Sequence, residues 1–264
     1  PRGADLTPTS VTHTAVTPKA AADEAKVAAH AAHVEIAEAG IPDELDELCA
    51  TMDAVWGSEV VPPRNVLRGM ALGGAGLMLA RRNTQAIGFA LGWPGWHHGL
   101  HFHSHQVGVH PGERGTGVGL ALKLAQRAQC LQHDITEMRW TFDPLLAANA
   151  SFNLVRLGVR IVDFLPNCYG ERRDAFNTGD VTDRVEVSWQ LDHPVGGAWL
   201  PSTGRDVISV PGDYQRLRTT DITAADQLRR DIGAALADVF RSGRTIAGLT
   251  RLDDGVAYLI GAER

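Results

Sequence analysis

The sequence has few cysteines, no long apolar run and no excess of basic residues, and each absence excludes a class of protein. Its three cysteines, Cys49, Cys130 and Cys168, lie far apart without the spacing of metal ligands, which is typical of reduced, buried thiols in a cytoplasmic protein. No stretch of about 18 apolar residues occurs, and no basic start leads into an apolar segment, so we expect neither a membrane protein nor a secreted one. The net charge of −6 argues against a nucleic-acid partner, which usually requires a basic face.

The remaining composition is that of a globular protein. Apolar residues make up 44% of the 264 positions, which is enough to bury a real core. Residues 1–33 are rich in Thr, Pro and Ala without apolar periodicity, so we predict a flexible arm, in which residues 20–33 have the composition of a frayed helix. We predict a main domain over residues 34–193 and a smaller extension, packed on it and without recognisable chemistry, over residues 194–264.

Apolar periodicity predicts that helices and strands follow one another along both regions. The predicted helices cover 44–56, 66–71, 120–132, 149–157 and 224–240. The predicted strands cover 33–36, 76–80, 86–91, 101–109, 137–142, 184–191, 207–210, 245–252 and 256–260. Between the third and fourth strands, Trp93–His98 carries aromatic side chains that either line an acceptor pocket or form a packed loop tip.

The stretch from Leu100 to Gln132 organises the rest of the chain. It predicts a strand, a glycine-dense turn and an amphipathic helix. Period-two spacing puts five side chains on one face of the strand: His101, His103, His105, Val107 and Val109. An apolar stripe on the helix faces a core, with Lys123, Gln126 and Arg127 turned elsewhere.

The turn Arg114–Gly119 packs three glycines into six residues directly before the helix. Backbone N–H groups at a helix N-terminus suit a phosphate, although a plain strand-to-helix turn has the same composition. A P-loop requires Lys and Ser/Thr where this chain has Val118 and Gly119. The dinucleotide fingerprint requires glycine where it has Leu120, so neither motif fits.

What the turn does resemble is the acyl-CoA-binding motif of the GNAT acyltransferase superfamily. HSHQVGVHPGERGTGVGLALKLAQR, WTFDPLLAANASFNLVRLG and YGERRDAFNTGDVTDRVEVSW together resemble one branch of predicted GNAT proteins, over roughly residues 34–191. The resemblance implies an α/β (α+β) GNAT fold, in which helices flank a mixed central sheet splayed between its fourth and fifth strands. A C-terminal α+β extension follows.

The resemblance also implies an acyl-CoA co-substrate, acetyl-CoA or another acyl-CoA, and the residues that bind it. The turn would hold the diphosphate, the strand before it would bond the pantetheine arm, and a backbone N–H near Val107 would polarise the thioester carbonyl. The implied cofactor-binding residues are Val107, Val109, Arg114, Gly115, Thr116, Gly117, Val118, Gly119 and Asn149.

Three residues are candidates for catalysis. His103 lies eleven residues before Arg114, the offset at which several relatives have a catalytic Glu, and His105 points the same way. We favour His103 as the base by a small margin, while a structural role stays open for each histidine. Relatives often have a Tyr acid where this chain has Leu154, and Tyr169 is the nearest tyrosine in sequence. We expect no metal site, because alternate strand residues lie about 7 Å apart.

These observations lead to a functional hypothesis. The protein is predicted to be a CoA-dependent N-acyltransferase that moves an acetyl- or succinyl-type group directly to a small amine such as an amino acid. The alternative is a catalytically silent acyl-CoA-binding or sensing module, which the leucine at position 154 favours. The expected partners are a small-molecule amine and no nucleic acid or membrane, and a homodimer is compatible with the sequence.

Overall fold

The computed structural model describes residues 15–170, 172–173, 178–203 and 205–262. The helices are α1 (Pro18–Ala31), α2 (Pro42–Trp56), α3 (Arg64–Leu72), α4 (Val118–Gln132), α5 (Ala147–Ala150, continued by a π-helix over Ser151–Leu157), α6 (Tyr214–Thr220) and α7 (Ile222–Arg241). The first six strands are β1 (Glu35–Glu38), β2 (Gly76–Arg82), β3 (Gln85–Gly95), β4 (His101–Val109), β5 (Glu137–Phe142) and β6 (Arg160–Leu165). The other six are β7 (Arg172–Arg173), β8 (Thr178–Asp180), β9 (Arg184–Gln190), β10 (Val207–Pro211), β11 (Thr245–Leu252) and β12 (Gly255–Gly261).

Seven strands form the central sheet, in the order β1-β2-β3-β4-β5-β9-β6. All neighbours are antiparallel except β4 and β5, which are parallel and joined through α4. The sequence predicted the mixed sheet but not the strand β6, which forms the edge of the sheet beyond β9. The strand β9 therefore lies inside the sheet.

Residues 207–261 build a second sheet, in the order β10-β12-β11, covered by α7. One hydrophobic core continues from β9 of the central sheet, with Val185 and Val187, into the second sheet, with Leu249 and Tyr258. The buried Tyr258 hydroxyl donates to the carbonyl oxygen of Pro144 at 2.8 Å. The extension thus packs on the main sheet, while its limits as a domain stay a prediction.

The central sheet opens between β4 and β5. The two strands pair only at Phe102 with Met138 and at His103 with Arg139, although β4 continues to Val109. Beyond these pairs the edges of both strands are without a strand partner on the other side of the gap. The predicted splay between the fourth and fifth strands is therefore confirmed.

A β-bulge accompanies the opening. Trp93 pairs with His103 and Leu91 pairs with Gln106, so two steps along β3 oppose three steps along β4. The extra residue shifts the alternation of side chains in β4 by one position, because successive residues of a strand point to opposite faces.

The bulge corrects the prediction that five alternate residues of β4 share one face. The rings of His103 and His105 lie beside the Trp93 ring on one side of the sheet. Val107 and Val109 pack against α4 on the other side. The prediction assumed that side chains alternate along the whole strand. An inserted residue breaks this alternation, and the local sequence pattern does not reveal the insertion.

The flexible arm predicted for residues 1–33 is corrected in its second half, where the composition had indicated a frayed helix and the structure has an ordered one. Pro18–Ala31 is an α-helix that packs along α4, with Ala21 only 1% exposed. Glu24 forms an ion pair with the buried Arg127 of α4. Alanine side chains hid the periodicity, because small residues allow close helix packing without a large apolar stripe. The remainder of the predicted arm, residues 1–14, lies outside the described residues.

Two smaller differences concern the predicted loop and the helix at residue 149. Trp93–Gly95 belongs to β3, and only Trp96 and the following residues form the turn to β4. The helix predicted from Asn149 begins at Ala147, and Gly158 ends it with φ +77°. A side chain at Gly158 would lie 2.3 Å from the backbone oxygen of Gly196, so this position requires glycine. Within the described part of the chain, no helix has the length and apolarity needed to cross a membrane.

The packing of α1 generates the first prediction. Ala21→Asn introduces an amide into the buried interface with α4, where it lacks a partner, and should lower the free energy of unfolding by about 2 kcal/mol. Val27→Asn on the same helix is the matched control, because Val27 is 68% exposed and its replacement should cost less than about 0.5 kcal/mol. Urea unfolding of both variants measures the difference. Equal, small effects would mean that α1 does not pack in solution.

Candidate active site

The turn between β4 and α4 presents backbone N–H groups to solvent. Gly115 and Gly117 have φ values of +80° and +95°, which glycine adopts without strain. Gly117 is the N-cap of α4, and among the described residues no side chain caps the helix. The first N–H groups of a helix lack acceptors within it and lie at the positive end of its dipole. Such an exposed turn is suited to an anion such as a diphosphate.

The turn is supported from behind. Val118 is 1% exposed and anchors the start of α4 in the core. The Thr116 hydroxyl donates to the backbone oxygen of Glu113 at 2.7 Å, and Arg82 forms an ion pair with the Glu113 carboxylate. Arg82 also donates to the backbone oxygen of Ala32, just past α1, at 3.2 Å. The turn is therefore held in place by contacts with β2 and with the end of α1.

The structure places the predicted cofactor residues of the turn next to one another at one end of the opening. Arg114 and Thr116 are exposed, while Val118 offers only its backbone N–H. Val107 and Val109 likewise offer only backbone groups, since their side chains pack on α4. Direct contact of these residues with a cofactor stays a prediction.

Aromatic and imidazole rings surround the opening itself. The ring centroid of Trp93 lies 5.3 Å from that of His103 and 5.0 Å from that of His105. The ring of His105 lies 6.3 Å from the ring of Tyr169, whose hydroxyl is 2.9 Å from Oγ1 of Thr141 on β5. The three predicted catalytic residues thus meet at the gap between β4 and β5, with a tyrosine hydroxyl on its far side.

Burial changes the acid–base behaviour of His103. Desolvation, followed by the nearby His105, His101 and Lys123, lowers the pKa of His103 to about 4. The imidazole is therefore neutral at pH 7, because the charged form loses its hydration at this position. A neutral ring can accept a proton, but a base with so low a pKa holds that proton weakly.

The cysteine thiols are not activated. Burial raises the pKa of Cys130 to about 12, and burial is also the leading cause of the raised pKa values of Cys49 and Cys168. The thiolate is the nucleophilic form, so each thiol is held in its unreactive state near neutral pH.

The helix after β5 contains two positions that the sequence analysis singled out, Asn149 and Leu154. Asn149 is exposed in the first turn of α5, and its contact with a cofactor stays a prediction. Leu154 is 7% exposed and belongs to the hydrophobic core, so it contributes packing where relatives would have a hydroxyl.

A buried polar cluster beneath the opening was missed. Lys123 and Gln126 are 4% and 0% exposed, although the helical pattern had turned them away from the apolar stripe. Lys123 Nζ donates to Ser104 Oγ, which donates to Gln126 Oε1, both at 2.8 Å. One sequence signal could have indicated the burial of Lys123. It lies inside the apolar run LALKLA, next to Leu124 of the predicted apolar stripe.

The histidines do not form a metal site in the described part of the chain. There, no group of three or more His, Cys, Asp or Glu side chains has a geometry able to hold an ion. The rings of His97 and His98 approach each other to 4.0 Å between centroids at the turn before β4.

The fold is a mixed sheet that opens between two parallel strands, beside a glycine turn at the start of a helix. The particular family follows from comparison: residues 45–154 match the model of the acetyltransferase (GNAT) family. This stretch, which is less than half of the chain, is thus similar to the GNAT family that the motifs resemble.

Several solved structures are similar to the chain. Naa50 from Arabidopsis thaliana in complex with the bisubstrate analogue CoA-Ac-MVNAL is 19% identical, and the match covers 59% of this chain and 97% of that one, with a TM-score of 0.46. A GNAT family acetyltransferase from Elizabethkingia anophelis with acetyl-CoA bound is 17% identical, covering 60% and 98%, with a TM-score of 0.43. Ard1 from Thermoplasma volcanium is 15% identical, covering 60% and 97%, with a TM-score of 0.44. No curated protein matches the chain.

The turn generates the second prediction. Gly117→Glu places a carboxylate where the diphosphate would lie and should weaken CoA binding at least tenfold, about 1.4 kcal/mol. Gly99→Glu is the matched control, since Gly99 also has a left-handed φ, +104°, and open space but lies at the β3–β4 turn. Calorimetric titration with CoA compares the two folded variants. Equal affinities would remove the turn from the binding site.

The burial of His103 generates the third prediction. Its folded-state pKa lies below the unfolded value of about 6.5, so the unfolded chain binds more protons between pH 6.5 and 4. The wild type should lose stability relative to His103→Asn as the pH falls through this window. The slope should stay below the roughly 1.4 kcal/mol per pH unit of one full proton, because solvent screens a partly exposed ring.

Denaturant unfolding between pH 7 and pH 4.5 measures this difference. His133→Asn, at an exposed position just past α4, is the control and should leave the pH dependence of the wild type unchanged. Parallel curves for the wild type and His103→Asn would show that His103 is not desolvated.

Proposed function

We propose that the protein is a CoA-dependent N-acyltransferase that moves an acetyl- or succinyl-type group directly onto a small amine such as an amino acid. The observation that carries the proposal is the convergence of His103, His105 and Tyr169 on the gap between β4 and β5. The glycine turn follows the end of β4, beyond the point where the gap begins. Acyl-CoA supplies the activated thioester, and the chain supplies the proton acceptor, the proton donor and the polarising backbone. Being an N-acyltransferase with a small acceptor goes beyond family membership and is what the experiments below test.

An amine attacks a thioester only through its lone pair, so the site must take a proton from the ammonium form. Histidine suits this step near neutral pH. The sequence favoured His103, but its pKa of about 4 makes it a weak acceptor. His105 lies past the last β4–β5 pair and beside Tyr169. We therefore assign the base to His105, with His103 as the second candidate.

Charge that develops on the carbonyl oxygen needs a donor inside the gap. Past His103, β4 has no β5 partner, so backbone N–H groups on that edge, near Val107, are available to the oxygen. The departing thiolate needs a proton, for which the Tyr169 hydroxyl is the nearest candidate, oriented by Thr141. Tyr169 would thus take the role that Leu154 does not fill.

Transfer is proposed to be direct, without a covalent enzyme intermediate. A ping-pong route requires an activated nucleophile, and the pKa values of all three thiols are raised by burial. The amine would therefore attack the thioester itself, with both substrates held in the gap at the same time.

Thiol release from acetyl-CoA, measured with a panel of amino acids and other small amines, tests the function and is the fourth prediction. His105→Asn should lower kcat by about 10²–10⁴-fold, and Tyr169→Phe should lower it by about 10²-fold. His103→Asn should lower it by less than about tenfold, and none of the three should change CoA affinity measurably. If only His103→Asn abolishes turnover, the two histidines have exchanged roles.

The second candidate function is a silent acyl-CoA-binding module, which the buried Leu154 favours. It predicts CoA binding without amine-dependent thiol release from any member of the panel. Binding together with release would leave only the acyltransferase.

A further inference from the structure

Lys123 is a buried amine at the base of the opening. Its side chain is 4% exposed, although it lies on α4 only two turns from the phosphate-binding turn. Nζ donates to Ser104 Oγ at 2.8 Å and lies 3.5 Å from the centroid of the Trp140 ring. One amine therefore bridges a residue of β4 and a residue of β5.

The two residues that Lys123 bridges mark the point where the strands separate. The last pair between β4 and β5 is His103 with Arg139, and Ser104 and Trp140 come directly after it. In a regular sheet these two residues would pair with each other. Here both contact the amine of Lys123, which therefore lies beneath the apex of the gap.

The surroundings of the amine are those of a nucleophile and not of an ion pair. No carboxylate is among the groups that shift the pKa of Lys123; burial lowers this pKa well below the ordinary value, and only Cys130 opposes the shift. Desolvation favours the neutral amine, whose lone pair is the nucleophilic form of lysine. Nε2 of the neighbouring Gln126, whose Oε1 accepts from Ser104, is also buried without a hydrogen-bond partner in the described structure.

We propose that Lys123 is a self-acylation site, at which Nζ accepts the acyl group of the acyl-CoA held in the gap. The inference rests on the proposed function, because it requires the thioester to lie between β4 and β5. The C–S bond of the thioester breaks, an Nζ–C amide bond forms, and the amine proton goes to the thiolate to give free CoA. The amide is stable, so the product is a modified protein and not an intermediate of turnover.

Acylation at this position has a direct structural consequence. It converts the amine that donates to Ser104 into an amide with a single N–H and adds an acyl group beneath the apex. We expect the modified protein to have a lower kcat. Acyl-CoA would therefore inhibit the enzyme when no acceptor amine is present.

The composition of the chain makes the site easy to identify. Lysine occurs at only three positions, Lys19, Lys26 and Lys123. Lys19 and Lys26 are exposed on α1, and the hydrogen bond and charge of Asp23 raise the pKa of Lys19. Exposed ammonium groups react slowly with thioesters, which separates adventitious labelling from the proposed reaction.

The experiment, which is the fifth prediction, uses the full chain with acetyl-CoA that carries a deuterated acetyl group and no acceptor amine. Intact mass and peptide mapping follow the label with time. We expect labelling of Lys123 at least about tenfold faster than that of Lys19 or Lys26, because a held thioester reacts as an intramolecular partner. Lys123→Arg should abolish the fast phase, and Lys26→Arg should leave it unchanged.

The outcomes separate this inference from the proposed function. Amine-dependent thiol release with no label on Lys123, or with label on all three lysines alike, overturns the self-acylation and leaves the acyltransferase standing. Label on Lys123 without amine-dependent release supports the self-acylation in a protein that is otherwise silent. Absence of both overturns both proposals. The mapping of the wild type decides the matter even if Lys123→Arg does not fold.

Discussion

The site depends on the point at which hydrogen bonding between β4 and β5 stops. Backbone N–H and C=O groups of a sheet must be paired, so two parallel strands that part after two pairs leave polar edges that only solvent or a ligand can satisfy. The bulge in β4 lies directly beyond His103, the last residue paired with β5. It turns His105 into the gap and Val107 toward α4. One strand thus contributes side chains both to the candidate active site and to the hydrophobic core.

Desolvation then determines the chemistry available at the gap. Trp93, Trp140 and the core remove water from the surroundings of His103 and Lys123, and burial lowers the pKa of both groups. Neutral imidazole and neutral amine are acceptors and nucleophiles, whereas their charged forms are neither. The same burial raises the pKa of the Cys130 thiol, which becomes less reactive. One physical effect therefore favours the neutral form of the imidazole, of the amine and of the thiol.

The opening can persist because other contacts hold the layers around it. Arg127 of α4 is 1% exposed, and it donates to the backbone oxygens of Leu191 at 2.7 Å and His193 at 2.8 Å while pairing with Glu24 of α1. A buried guanidinium with these partners joins α1, α4 and the end of β9. The core shared with the second sheet supports the other side, so the strands can separate without loss of the fold.

The sequence by itself determined the strand, the glycine turn and the helix around Arg114–Gly119, since φ-permissive glycines and apolar periodicity act over a few residues. It also indicated the resemblance to the GNAT family and the candidates His103 and His105. Only the tertiary structure decided that the bulge divides β4 between two faces, that Lys123 is buried, and that Tyr169 lies opposite His105. These features depend on register and packing between segments far apart in the chain, and local spacing carries no information about which distant side chains remove water from a given group.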